Sequence, residues 1–108
     1  MTRLRSLDPD RTLRIQAAFL LAQTLSAAGQ YEQAGIEFRN VFEDFPSSDL
    51  ADDALFEYAG TLVSSGRIDE GVRTYKNVFV RYPDSQLAEE SLYKRGELLF
   101  QQRRYDDA

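Results

Sequence analysis

With 108 residues, 43% of them hydrophobic and 29% charged, the chain has the composition of one globular-type domain or part of one, and it holds no apolar run long enough to span a membrane. It contains neither cysteine nor histidine, which excludes disulfides and thiolate zinc sites and removes the usual general base and the commonest metal ligand. A net charge of −5 argues against nucleic acid as a partner, because such binding depends on clustered Lys and Arg neutralising phosphates.

The charge is uneven along the chain. Arg3, Arg5, Arg11 and Arg14 crowd the start, whereas between Arg39 and Arg67 there is no basic residue but there are Glu43, Asp44, Asp49, Asp52, Asp53 and Glu57. Arg3 and Arg5 are not followed by the apolar stretch and small-residue cleavage site of a secretory signal. The expectation is therefore a cytoplasmic protein if Met1 is the natural start, or a signal lying outside these residues.

Residues 1–12 read as a leader. Asp8-Pro9 has the form of an N-cap followed by proline at the first helical position, where the missing N–H costs nothing. From about 13 to 28, Leu13, Ala17, Leu21, Ala22 and Leu25 recur at three- and four-residue steps, which predicts a helix burying that face. Gly29 breaks it, and a second helix is expected over 31–45, burying Ala34, Phe38, Val41 and Phe42. Pro46 ends that helix, since the residue before proline is pushed out of the helical region.

The chain then repeats itself. Residues 40–51 (NVFEDFPSSDLA) return as 77–88 (NVFVRYPDSQLA), thirty-seven positions on. The same offset aligns Pro9, Pro46 and Pro83; Phe19, Phe56 and Tyr93; Ala22, Ala59 and Gly96; Leu25, Leu62 and Leu99. It needs no gap from Pro9 to the end, so the chain is a repeat array. Repeat 1 spans 13–47, repeat 2 spans 48–84, and a partial repeat 3 spans 85–108. Ser48 and Ser85 are the expected N-caps of the second and third A helices, and the acids that follow each one complement a positive helix end. Gly66 should turn the second A helix into a B helix over 68–82. The third A helix should end near 102, with residues 105–108 opening a B helix that the sequence does not complete.

These positions resemble the tetratricopeptide repeat, whose signature places a large apolar residue, a leucine, small residues and aromatics at fixed places on a helix pair, followed by proline. The places are held by Ala18, Leu21, Ala22, Leu25, Ala34, Phe38 and Pro46 in the first unit. Leu55, Tyr58, Ala59, Leu62, Gly71, Tyr75 and Pro83 hold them in the second, and Leu92, Arg95, Gly96, Leu99 and Ala108 in the third. The resemblance implies an all-α, right-handed solenoid of antiparallel helix pairs, about five helices in all. Tryptophan is absent, Arg95 replaces an apolar residue and Gly71 weakens a helix interior, so the match is degenerate. The period exceeds the usual ~34 residues, which is similar to the longer variant of bacterial cell-envelope proteins and implies a periplasmic or envelope location.

The same resemblance implies a non-enzymatic scaffold that docks a partner peptide or domain in a concave groove formed by the A helices. The stripe Phe19, Gln23; Phe56, Gly60, Val63; Tyr93, Lys94, Glu97, Phe100 would line that groove. An alternative buries these rings between repeats and leaves a structural spacer. No cofactor is expected: adjacent carboxylates such as Asp52-Asp53 diverge by about 100° on a helix and do not converge on one ion. Leu98, Leu99 and Phe100 end the array on apolar residues where a solenoid normally closes with a polar cap. The natural protein is therefore expected to continue with more repeats, and the isolated chain to cover this face by self-association, giving a homodimer.

Overall fold

A computed structural model describes residues 9–107, which form five α-helices: α1 (Pro9–Ala27), α2 (Tyr31–Asp44), α3 (Ala51–Ser64), α4 (Ile68–Arg81) and α5 (Gln86–Asp107). Each helix packs on the next, and α3 also touches α1 and α5. Alternate helices therefore stand side by side, α1, α3 and α5 in one layer with α2 and α4 in the other. The assembly is a slab of 62 × 30 × 16 Å. It is all-helical among the described residues, a helical solenoid of stacked antiparallel pairs.

The turns within a pair follow from glycine. Gly29 and Gly66 adopt φ of 82° and 91°, the left-handed region that other residues enter only with strain. Around them the Gln30 N–H donates to the Leu25 carbonyl (2.9 Å) and the Gly29 N–H to Ser26 (3.0 Å); Arg67 and Gly66 repeat the pattern on Leu62 (2.8 Å) and Val63 (3.0 Å). Both are Schellman closures, which satisfy orphan carbonyls at a helix end. The third unit has Arg103 where the others have glycine. Here the structure departs from the expected stop near 102: α5 runs straight through this position to Asp107. Residues 105–107 thus extend the A helix instead of opening a B helix, and Ala108 lies outside the described residues.

The core sits between the layers. Phe38, Val41 and Phe42 of α2, Ala54 and Leu55 of α3 and Val78 of α4 are buried, and Ile15 and Ala22 join them from α1. On α1 the buried face differs from the one read in the sequence. Leu13 is 60% exposed and Leu21 46%, with Ala17 also exposed, while Ile15 and Ala22 point inward beside half-buried Ala18, Phe19 and Leu25. Thirty-seven residues later, the counterparts of Ala17 and Leu21 are Ala54, fully buried, and Tyr58, whose ring lies 5.5 Å from that of Phe42 on α2. That face of an A helix is covered by the B helix before it, and no described helix precedes α1. The helix also begins at Pro9 rather than after residue 12; Asp8 and the rest of the leader lie outside the described residues.

The hinges between repeats are tied to one another. The Tyr82 hydroxyl donates to the Pro46 carbonyl at 2.9 Å, which joins the end of repeat 2 to the end of repeat 1. Arg11 stacks 5.0 Å over the Phe45 ring. The Ser85 hydroxyl accepts the Leu87 N–H at 3.0 Å and donates to an Asp52 carboxylate oxygen at 2.5 Å, so Ser85 caps α5 as expected. Ser48 does not cap α3. Its hydroxyl is buried without a partner, and the helix starts only at Ala51 behind an uncapped Leu50. The offset explains the difference, because the counterpart of Asp52 is Ile15, which lines the same hollow as Ser48 and offers no acceptor.

Candidate functional site

Of the residues singled out from the sequence, Gln23, Gly60, Lys94 and Glu97 fall on one face of the layer formed by α1, α3 and α5. The three rings at equivalent places do not share one environment. Phe19 lies edge-on to Phe38 with centroids 5.8 Å apart, and Phe56 edge-on to Tyr75 at 5.5 Å, each meeting the B helix of its own pair. Both are half-buried against core residues. Tyr93, whose pair has no B helix among the described residues, is 67% exposed. The aromatic stripe is thus a set of within-pair contacts, left open only in the third unit.

Val63 is a correction of the same kind. A Cβ placed on Gly71 would stand 2.5 Å from a Val63 methyl and 3.1 Å from the Ala59 carbonyl oxygen, so Val63 fills the contact between α3 and α4 instead of lining a groove. Leu98 is half-buried and lies about 200° around α5 from Gly96. It therefore does not share a face with the exposed Leu99 and Phe100.

Gln23 and Glu97 are exposed, and Gly60 and Lys94 are half-buried. Steps of four and three place Asp53, Glu57 and Gly60 on one face of α3. The equivalent stripes are Gln16, Leu20 and Gln23 on α1 and Glu90, Lys94 and Glu97 on α5. The Tyr75 hydroxyl emerges beside Gly60, 3.4 Å from where a Cβ there would sit.

The electrostatics of this face were not legible as a site, because the acids of α3 have an adequate explanation as helix-start residues. In the fold, burial pushes the Asp53 carboxyl above its ordinary value, and the neighbouring Asp52 adds to the shift. Burial likewise raises Glu57, with Asp53 contributing, and raises the Tyr75 hydroxyl, with Glu57 of α3 and Glu90 of α5 contributing. Glu57 and Glu90, from two A helices, therefore both act on one phenol of a B helix. A signal was present in the spacing: Asp53 and Glu57 stand seven and three residues before Gly60. Among the described residues no group of three or more metal-binding side chains is placed to hold an ion, and no helix is long and apolar enough to cross a membrane.

Helix pairs that stack at a fixed offset, each burying its face against the next, define a helical-repeat scaffold. The chain belongs to the tetratricopeptide repeat family, whose model matches residues 16–48 and again residues 53–85. The two segments start thirty-seven residues apart, at 16 and 53. A search among curated proteins finds no significant match. Repeats of this family generally mediate protein–protein interaction and are generally non-catalytic.

Proposed function

We propose that the concave face of α1, α3 and α5 docks a basic segment of a partner protein. The observation that carries this reading is the placement of Asp53, Glu57 and Gly60 along one face of α3, where the Tyr75 hydroxyl emerges beside Gly60 and feels both Glu57 and Glu90 of α5. Asp53 and Glu57, half-buried and outside the ion pairs of the described residues, gain from a ligand that supplies a cation, and the gain exceeds that of fully hydrated acids such as the exposed Glu90. Gln23, Glu97 and Lys94 border the same face, and exposed Tyr93 offers a ring at its third-unit end. Lys94 would select register by repelling a misplaced cation. The half-buried Phe19 and Phe56 support the groove floor from beneath. The long period favours the envelope variant of the family as the setting.

Fluorescence anisotropy with labelled peptides of alternating lysine and leucine, against matched peptides of glutamate and leucine, tests the charge preference. The lysine peptides should bind with an affinity that falls as salt rises, and Glu57→Lys should weaken them by about tenfold or more. Equal binding of both peptide sets, or Glu57→Lys binding as well as the parent, would leave the spacer reading as the better account.

A further inference from the structure

The open face of α5 has a symmetry that the groove reading does not use. Leu92, Tyr93, Gly96, Leu99 and Phe100 form an apolar stripe, with Tyr93 and Phe100 exposed at 67% and 61% and Leu92 and Leu99 partly so. Nothing lies within 4 Å of a Cβ built on Gly96. On α3 the equivalent stripe is Leu55, Phe56, Ala59, Leu62 and Val63, and it is covered by α4. The stripe on α5 is thus a surface shaped for an antiparallel helix that approaches closely at a small residue.

Taken about Gly96, the stripe is its own complement. In an antiparallel pair related by a two-fold axis, a residue n positions after Gly96 meets the residue n positions before it. Leu99 then meets Tyr93 and Phe100 meets Leu92. One heptad out, Arg103 meets Glu89, and the two-fold makes that ion pair twice. At 100° per residue, Glu89 and Arg103 lie only about 20° either side of the Gly96 direction, so both fall on the contact line. Both are exposed, and among the described residues neither forms an ion pair. A parallel pair would instead set Glu89 against Glu89 and Arg103 against Arg103. The charges select the antiparallel arrangement, and the glycine permits the close approach.

We infer that the occupant of this face is α5 of a second copy of this chain, packed antiparallel about Gly96. The α5–α5 contact places in each protomer a helix where the other two units have their own B helix. It shares exposed Tyr93 with the groove reading, but otherwise uses the flank of α5 away from Glu90 and Lys94.

Sedimentation equilibrium of the 108-residue chain tests the pairing over roughly 5–500 μM, spanning the affinities expected of a small interface. The expected result is a reversible dimer, weakened about tenfold or more by Phe100→Asp. Glu89→Arg should weaken it several-fold, and adding Arg103→Glu should restore it. A chain with no native cysteine also permits a direct check: Gly96→Cys should cross-link into a dimer on mild oxidation, while Gln101→Cys, on another face, should not. Every substituted side is exposed, and circular dichroism confirms the helices. A monomer throughout the range overturns the proposal. So does a dimer unaffected by Phe100→Asp, or one lost on Leu21→Lys, which would place the contact on α1. A dimer in which the second charge reversal fails to rescue the first overturns the antiparallel register.

Discussion

Val63 and Gly71 are fitted to each other across α3 and α4: the valine methyl occupies the space a Cβ on Gly71 would need. One repeat earlier the same two places hold Ser26 and Ala34. A larger residue on the A helix is matched by a smaller one on the B helix, and the reverse, so the distance between backbones is kept while volume is exchanged. Gly71→Ala gains about 1 kcal/mol of helix propensity. It also forces an overlap costing about 1–3 kcal/mol, part of it against the Ala59 carbonyl, which cannot rotate away. A net loss of roughly 1 kcal/mol is expected. In a Val63→Ser background, which reproduces the first unit, the alanine should become neutral or stabilising. Urea denaturation of the four chains in a double-mutant cycle measures the coupling, and additive effects would show the two sites to be independent.

Ser85 and Ser48 occupy equivalent places but should respond differently to loss of the hydroxyl. Ser85→Ala removes the N–H acceptor that starts α5 and the donor to Asp52, and should cost about 1–2 kcal/mol. Ser48→Ala removes a buried hydroxyl with no partner and should be neutral or slightly stabilising. Ile15→Asp supplies the missing acceptor by position but exchanges a buried apolar residue for a carboxylate, so it should not confer a cap's benefit. Thermal melts of the three variants separate these effects.

The helix count and the turns were legible because each depends on residues close in sequence: glycine at 29 and 66, proline at 46 and 83, and an offset that keeps its phase throughout. The buried side of α1 was not, because both of its faces carry apolar residues and the neighbour decides which is covered. Leu13 and Leu21 suit the B helix of a preceding pair, whereas Ile15 and Ala22 face the pair that is present. The direction of the aromatic stripe was equally hidden. Whether Phe56 opens to solvent or meets Tyr75 depends on the approach of α4, and that is set by Gly71 fifteen residues away. The Ser48 cap was hidden for a similar reason, since the carboxylate that anchors the capping Ser85 hydroxyl comes from a different repeat and its counterpart for Ser48 is Ile15.

Ser91 stands where the first two units have alanine, and it is fully buried with its hydroxyl unpartnered. The same place in repeat 2, Ala54, is buried with no polar atom to satisfy. Ser91→Ala should therefore stabilise the fold by about 1 kcal/mol, the desolvation cost of the idle hydroxyl. Ser91→Val should fail to do so, because the site is closed to added volume. A lower melting temperature for the alanine variant would mean that the hydroxyl has a partner in solution.

The acidic face of α3 makes stability depend on pH in a definite direction. Burial raises Asp53 and Glu57 above their ordinary values, so the folded chain holds these protons more tightly than the unfolded chain does. Below about pH 3, beneath the ordinary values of both groups, both states are protonated and no penalty applies. As pH rises through the ordinary carboxylate range and then through the raised folded values, the folded state must ionise half-desolvated groups, and stability falls. The penalty is complete only above the raised folded values. Lowering the pH from 7 into the ordinary carboxylate range should consequently relieve the penalty and raise the melting temperature relative to a variant without it, and Glu57→Gln should raise it at pH 7 while flattening the slope. General relief of the −5 net charge would act on parent and variant nearly alike, so the difference between their two profiles isolates Glu57. A basic peptide seated on this face should act in the opposite sense, pulling the carboxyl groups down and binding more tightly at pH 7 than in the ordinary carboxylate range. Parallel profiles for parent and variant would remove Glu57 from the account of both stability and docking.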